Sequence, residues 1–213
     1  MKPVNLVKAF CAIVFASTSA LSAIAAPEPR APLEMTYDHD TREVPADQYV
    51  GTCPVRIVAT VDARQNKETV GQSMNGALLS GDMSKWVSAG LGDLASFGLK
   101  VESGGDPLPP ADGLLVKTSL TRAYIWHVGF KIFSMVALKA QFVDKNGVVQ
   151  EKYYRAHGDK SNIWGADSEY VTTLNYGLNN LLPVMAKDIS SLCKGVPVER
   201  YSYAGPSEPA EKK

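Results

Sequence analysis

Charge is not in excess in either direction: 22 Lys and Arg balance 22 Asp and Glu, for a formal net charge of zero. A dedicated nucleic-acid binder usually shows a basic excess, so that class is set aside. Histidine and cysteine are scarce, three of each. None of His39, His127 and His157 lies within four residues of another His or a Cys, which leaves no zinc-type ligand spacing. Asp38-His39-Asp40 is the one local cluster with metal-ligand chemistry, and a solvated charge cluster explains it more simply. There is no Gly-x-Ser-x-Gly elbow, P-loop, dinucleotide-binding glycine fingerprint or His-Glu-x-x-His, so the motifs of the common hydrolases and nucleotide enzymes are missing. Gly71-Gln72-Ser73-Met74-Asn75 begins like a nucleophile elbow but lacks its closing glycine. Nothing in the spacing of Asp62, Glu102, Asp106 and Asp112 selects an acid–base pair. The chain therefore reads as non-enzymatic and without a cofactor. With 45% hydrophobic and 21% charged residues, it is neither a disordered chain nor a polytopic membrane protein.

What the chain does have is a leader. Met1 to Lys8 carries two lysines and no acid, and Ala9 to Ala26 is uncharged. The stretch ends in the small-x-small pattern Ala23-Ile24-Ala25, followed by Pro27 and Pro29. This is the layout of a secretory signal peptide, residues 1–25. The alternative is an uncleaved anchor, since the apolar run is just long enough to span. Cleavage removes Lys2, Lys8 and no acid, leaving 20 basic and 22 acidic groups and a net charge of −2. Cys11 is preceded by Lys8-Ala9-Phe10, which is not a lipobox. The mature chain then holds two cysteines, Cys53 and Cys193. An even count in an oxidising compartment favours a disulfide between them, against two free thiols.

Residues 26–50 are rich in proline and charge and read as an extended arm. Residues 195–213 contain Pro197, Pro206 and Pro209 and read as a disordered tail. Between them lies a single α+β domain, residues 51–194. Alternating Val55, Ile57, Ala59 and Val61 predict a first strand. Met83, Trp86, Val87, Gly90, Leu91, Leu94 and Phe97 recur at helical steps after Asp82, with Gly98 beyond the end. Two long strands run from Leu114 to His127 and from Phe130 to Asp144, and the Asn146-Gly147 turn leads into a return strand from Val148. In the first, Leu114, Val116, Leu120, Tyr124 and Trp126 share a face. In the second, Phe130 joins Ile132, Val136, Leu138, Ala140 and Phe142. Asp167 to Leu192 carries a leucine stripe over a long helix, in which Pro183 should impose a kink or a break. The expected fold is a mostly antiparallel sheet with a three-stranded meander and two helices packed on one face.

Two features are candidates for binding. Asp62 and Arg64 end the first strand as an acid–base pair, either for a partner or to fix the loop leaving the strand. The hairpin end holding Tyr124, Trp126, His127 and Phe130 is unusually aromatic. If uncovered, it is a patch for a protein partner or weak membrane-surface contact; if covered, it is core.

The runs Val58-Ala59-Thr60-Val61-Asp62-Ala63-Arg64, Val70-Gly71 and Leu94 to Val101 (LASFGLKV) resemble the YajG-like envelope lipoproteins. The Leu114-Leu115-Val116 strand, the Asn146-Gly147 turn and the closing helix with Lys187-Asp188-Ile189 fit the same layout, covering about residues 54–192. The resemblance implies a Gram-negative cell-envelope protein without catalytic activity. Members are typically lipid-anchored through an N-terminal cysteine, and the missing lipobox is a departure. The expectation is an exported, periplasmic accessory protein acting through an envelope protein partner, or alternatively a carrier of a lipid or other apolar ligand.

Overall fold

The computed structural model describes residues 30–39, 48–73, 75–104, 106–161 and 165–205. The leader expected over 1–25 lies outside the described residues, as do Cys11 and Asp40. The strands are β1 (Val55–Ile57), β2 (Val61–Asp62), β3 (Thr69–Ser73), β4 (Gly76–Leu79), β5 (Val101–Ser103), β6 (Leu114–Val128), β7 (Lys131–Val143), β8 (Val149–Ser161) and β9 (Tyr201–Ala204). The helices are α1 (Met83–Gly92), continued by a 3-10 turn at Asp93–Phe97, and α2 (Asp167–Cys193).

The sheet is mixed rather than mostly antiparallel. Its main path runs β4-β3-β6-β7-β8-β9, with β1 and β2 also on β6 and β5 beyond β1. The β3–β4, β6–β7 and β7–β8 pairs are antiparallel. The β1–β5, β1–β6, β2–β6, β3–β6 and β8–β9 pairs are parallel. The physical reason is connection length. A tight turn joins antiparallel neighbours, whereas a strand that returns in the same direction needs a crossover. Helix α1 lies between β1 and β5, and α2 lies between β8 and β9. Each helix carries its crossover and packs back on the sheet. The region expected as a tail thus contributes a strand, β9, which hydrogen-bonds along Tyr153–Ala156.

Two irregularities in register decide which side chains face the helices. Between β1 and β2 the chain advances from Ile57 to Val61 while its partner advances only from Val116 to Ser119. The extra residue turns Val61 outward, 61% exposed, and Thr60 inward. There Thr60 Oγ1 shares a 2.7 Å hydrogen bond with Thr118 Oγ1. In β6 the register shifts between Leu120 and Arg122, opposite Leu138 and Ala137. A one-residue bulge reverses the alternation beyond it. Val116 and Leu120 face the core before the bulge, and Ala123 and Ile125 face it afterwards.

The core joins α1, α2 and the inner sheet face through Trp86, Leu91, Val136, Phe142, Leu178 and Ile189, all buried. Asp82 caps α1 by accepting from the Lys85 amide at 2.9 Å. Helix α2 begins at Asp167, where the leucine stripe starts; Ala166 is the cap residue, and its amide donates to the Glu169 carboxylate. Pro183 neither breaks nor divides α2. It is exposed, so its ring lies on the solvent side of α2 and not against the sheet. The arm is packed over residues 30–39. Leu33 is buried and its amide donates to Leu79 O. Tyr37 donates to Asn179 Oδ1, while Asn175 and Asn179 side-chain amides donate to the Thr36 and Asp38 carbonyls. This stretch straps the two helices together.

Helix α2 meets the sheet at Gly158. A Cβ there would sit 2.5 Å from Thr173 O and 2.6 Å from the Gly177 amide nitrogen. Both obstacles are backbone, so the helix itself would have to move. Gly158→Ala is expected to lower stability by about 1–3 kcal/mol, the usual range for overpacking. Urea unfolding at pH 7 measures it, and a wild-type midpoint would show that the helix is not held this close.

Candidate functional site

The helices cover one face of the sheet, and among the described residues no helix packs on the other. A bare face ordinarily alternates to polar residues. Here it is aromatic, and the β6 bulge is the cause. With the alternation reversed at Thr121, Tyr124 and Trp126 point away from the helices rather than sharing the face of Leu114, Val116 and Leu120. Trp126 stacks on Phe133 of β7, with ring centroids 5.6 Å apart and planes at 18°. Tyr124 lies 5.3 Å from Trp126. Trp126 meets His157 edge-on at 5.7 Å, and His157 lies 5.3 Å from Tyr203. Further along, Tyr153 and Tyr201 stack at 5.4 Å. Strands β6, β7, β8 and β9 together build one aromatic band. Pairs of this kind contribute about 0.5–1.5 kcal/mol each beyond their burial.

The hairpin candidates separate. Tyr124 and Trp126 join the band. His127 points to the other face and meets Tyr170 of α2 edge-on at 5.7 Å. Phe130 does not continue the inner row of β7; it sits in the turn, 89% exposed, beside Val128 at 62%. The hairpin tip therefore carries two uncovered apolar side chains.

Asp62 and Arg64 pair with each other. Arg64 Nη2 and Nε donate to the Asp62 carboxylate at 2.8 and 3.0 Å, and the Arg64 amide donates to it at 3.1 Å. Burial alone would raise the Asp62 carboxyl, but these hydrogen bonds win and hold it below its ordinary value. Arg64 is buried and also reaches Ser80 Oγ and the Lys67 carbonyl. This geometry closes the loop after β2. Its outer side lines a polar concavity with Asn66, Arg122 and Tyr124.

The band flanks a groove of about 430 Å³ over β6–β9. Ala137 lies at its centre, with Arg122 and Arg155 in register on either side. Tyr153, Tyr201 and Tyr203 line it on the β8–β9 side. Glu151 stands at its margin, where hydrogen bonds from Lys139 and Tyr153 pull its carboxyl down to about 2. The sequence reading did not reach Arg122, Phe133, Tyr153, Arg155, Tyr201 or Tyr203. The available signal was parity: Tyr153, Arg155 and His157 alternate on one side of the return strand, and Tyr201-Ser202-Tyr203 repeats the pattern.

His157 sits within the band, and its Nε2 has no hydrogen-bond partner among the described residues. Burial first, and the Arg155 charge second, hold the imidazole below the ordinary value of 6.5. A ring with a lowered folded-state pKa binds fewer protons when folded. Its contribution to stability is therefore complete above 6.5 and lost as pH falls below that value towards the folded pKa. NMR titration of the ring should give a midpoint below 6.5, moving upward in Arg155→Ala. An unshifted midpoint in wild type would contradict the burial argument.

Among the described residues no helix is long and apolar enough to cross a membrane. His39 Nδ1 lies 2.6 Å from the Asp93 carboxylate, and among the described residues no cluster of three or more His, Cys, Asp or Glu is placed to hold a metal.

No family model matches the sequence, and no curated protein matches it. Solved structures do match. A minor lipoprotein from Acinetobacter baumannii aligns at TM-score 0.41 with 9% identity, over 65% of this chain and 91% of that one. Lipoprotein GNA1162 from Neisseria meningitidis aligns at 0.33 with 12% identity, over 67% and 99%. Protein XCC0632 from Xanthomonas campestris, of the DUF330 family, aligns at 0.50 with 8% identity, over 76% of this chain and 94% of that one. At that level the likeness is one of fold: the chain shares the α+β, sheet-and-helix architecture of the DUF330 protein.

Proposed function

We propose that the protein is a non-enzymatic accessory protein of the Gram-negative cell envelope, exported to the periplasm, which binds another envelope protein through the end of the β6–β7 hairpin. The observation that carries this reading is the exposed apolar tip, Val128 and Phe130, at the end of the strands that bear the outward pair Tyr124 and Trp126. Aromatic anchors beside uncovered apolar side chains are the usual centre of a protein interface. The Cys53–Cys193 disulfide and the leader-like first 25 residues support export. The likeness to envelope lipoproteins read from the sequence supports the compartment.

The test is photo-crosslinking in whole cells, using the full-length chain with a benzophenone side chain at residue 130 or 126. One discrete heavier species is expected, present from both positions and absent from a control at exposed Pro183. Repeated recovery of the protein alone would overturn the partner reading. Two free thiols on the exported protein would remove the disulfide's support for export.

A further inference from the structure

Arg122 and Arg155 both stand opposite Ala137, one on each side, so the three share one cross-strand row of the outer face. Tyr203 extends that row on β9. At about 4.8 Å per strand, the two arginine Cα atoms are separated by about 10 Å. Both side chains are exposed. Among the described residues neither forms an ion pair; Arg155 has only the Tyr203 ring, 5.9 Å away. The nearby acid is already engaged: Glu151 lies 2.6 Å from Lys139 Nζ and accepts from Tyr153 OH at 2.6 Å.

Two like charges held near each other without a counter-charge cost energy in the empty state. An anion seated between them removes that cost and accepts from both guanidinium forks. The space between them is not flat surface. Ala137 leaves a depression there, and the tyrosines and Met135 give the groove a largely apolar lining. Its volume of about 430 Å³ falls within the usual range for small-molecule sites. The Arg155 charge also disfavours protonation of His157, after burial.

We infer that this groove binds an amphipathic anion, with a phosphate or carboxylate head held between Arg122 and Arg155 and an apolar body lying along Met135, Tyr201 and Tyr203. The inference does not rest on the partner reading, because the groove lies over β6–β9, away from the hairpin tip.

The probe is decyl phosphate below its aggregation concentration, titrated into the full-length protein and followed by calorimetry and by NMR of the arginine and tyrosine signals. One-to-one binding is expected, at least about tenfold tighter than inorganic phosphate and than the uncharged decyl maltoside, since head and body each contribute. Arg122→Gln with Arg155→Gln should weaken decyl phosphate by at least about tenfold without lowering the urea midpoint, because both side chains are exposed and the change removes their mutual repulsion. Ala137→Leu fills the depression and should weaken decyl phosphate while leaving inorganic phosphate unaffected. Undiminished binding in the double variant would overturn the assignment, and so would equal affinity for decyl maltoside. Incubation with phosphatidylglycerol vesicles separates the two sources of such an anion. Lipid recovered one-to-one with the protein identifies a lipid headgroup, and decyl phosphate binding without extraction identifies a free organic anion; both uphold the site.

Discussion

Asp188→Asn is expected to cost about 3–5 kcal/mol of folding free energy, the usual penalty for stranding a buried charge. Lys152 is 1% exposed and points from β8 into the core. Its Nζ lies 2.5 Å from Asp188 Oδ2 on α2. Tyr154 OH donates to the same oxygen at 2.9 Å, and the Lys152 ammonium lies 5.2 Å from the Tyr154 ring centroid. Burial, and then the Asp188 charge, push the Tyr154 phenol upward, so it remains a donor across the accessible pH range. Neutralising Asp188 leaves the ammonium in the core with an amide in place of its counter-charge. Urea unfolding at pH 7, followed by near-UV circular dichroism, measures the loss.

The same network makes a second, opposite expectation. Replacing all three groups by apolar residues, Lys152→Met, Asp188→Leu and Tyr154→Phe, removes the desolvation penalty together with the attraction. Such exchanges are often neutral, or stabilising by about 1–4 kcal/mol. The triple variant should therefore be more stable than Asp188→Asn alone, despite carrying three changes. If Asp188→Asn matches wild type, the pair is hydrated and the buried-charge account is wrong. If the triple variant is the weaker, the network contributes net stability.

The buried pair shows how much the sequence carries. Asp188 sits in the helical stripe with Leu181, Met185 and Leu192, and Lys152 shares its strand parity with Tyr154 and Ala156, so each charge is marked as facing inward. The long helices and the β6–β7–β8 meander follow from periodicity because each is long enough to repeat its pattern several times. The parallel pairing of β1 with β6 was also available, since α1 lies between the first expected strand and the strand from Leu114, and a helix between two strands is a crossover. What periodicity cannot supply is the side of the sheet beyond an inserted residue. The bulge at Thr121 and the extra residue before Val61 leave no mark in composition, yet each inverts every side chain that follows. This is why Tyr124 and Trp126 were grouped with Leu120 and lie on the opposite face. Strand β9 was obscured because four residues between Pro197 and Pro206 are too short for a pattern, and its order comes from pairing with β8. The groove at Ala137 was hidden because it depends on the β6 register beyond the bulge and on the pairing of β9.

Loss of the Cys53–Cys193 bond should have an effect of comparable size. The bond joins residues 140 apart, and loop-closure entropy for that separation gives about 5 kcal/mol, the upper end of the range seen when native disulfides are removed. The bond links the chain just before β1 to the last residue of α2, and both cysteines pack against the core. It therefore encloses nearly every strand and both helices, so the unfolded chain loses freedom along most of its length. Unfolding in urea with and without a reductant, and of Cys53→Ala with Cys193→Ala, should show the reduced and substituted forms weakened alike by about 2–5 kcal/mol. The dependence on urea should also be steeper without the bond, because the opened unfolded chain exposes more surface. Equal stability with and without reductant would mean that packing of α2 on the sheet already constrains the ends. A loss confined to the alanine variant would assign the effect to the side chains rather than the crosslink. On the export reading, a chain that keeps its fold by this margin is stable only where the bond forms. The same molecule held in a reducing compartment should then be cleared faster than the exported form, and a pulse-chase comparison of chains with and without residues 1–25 measures that difference.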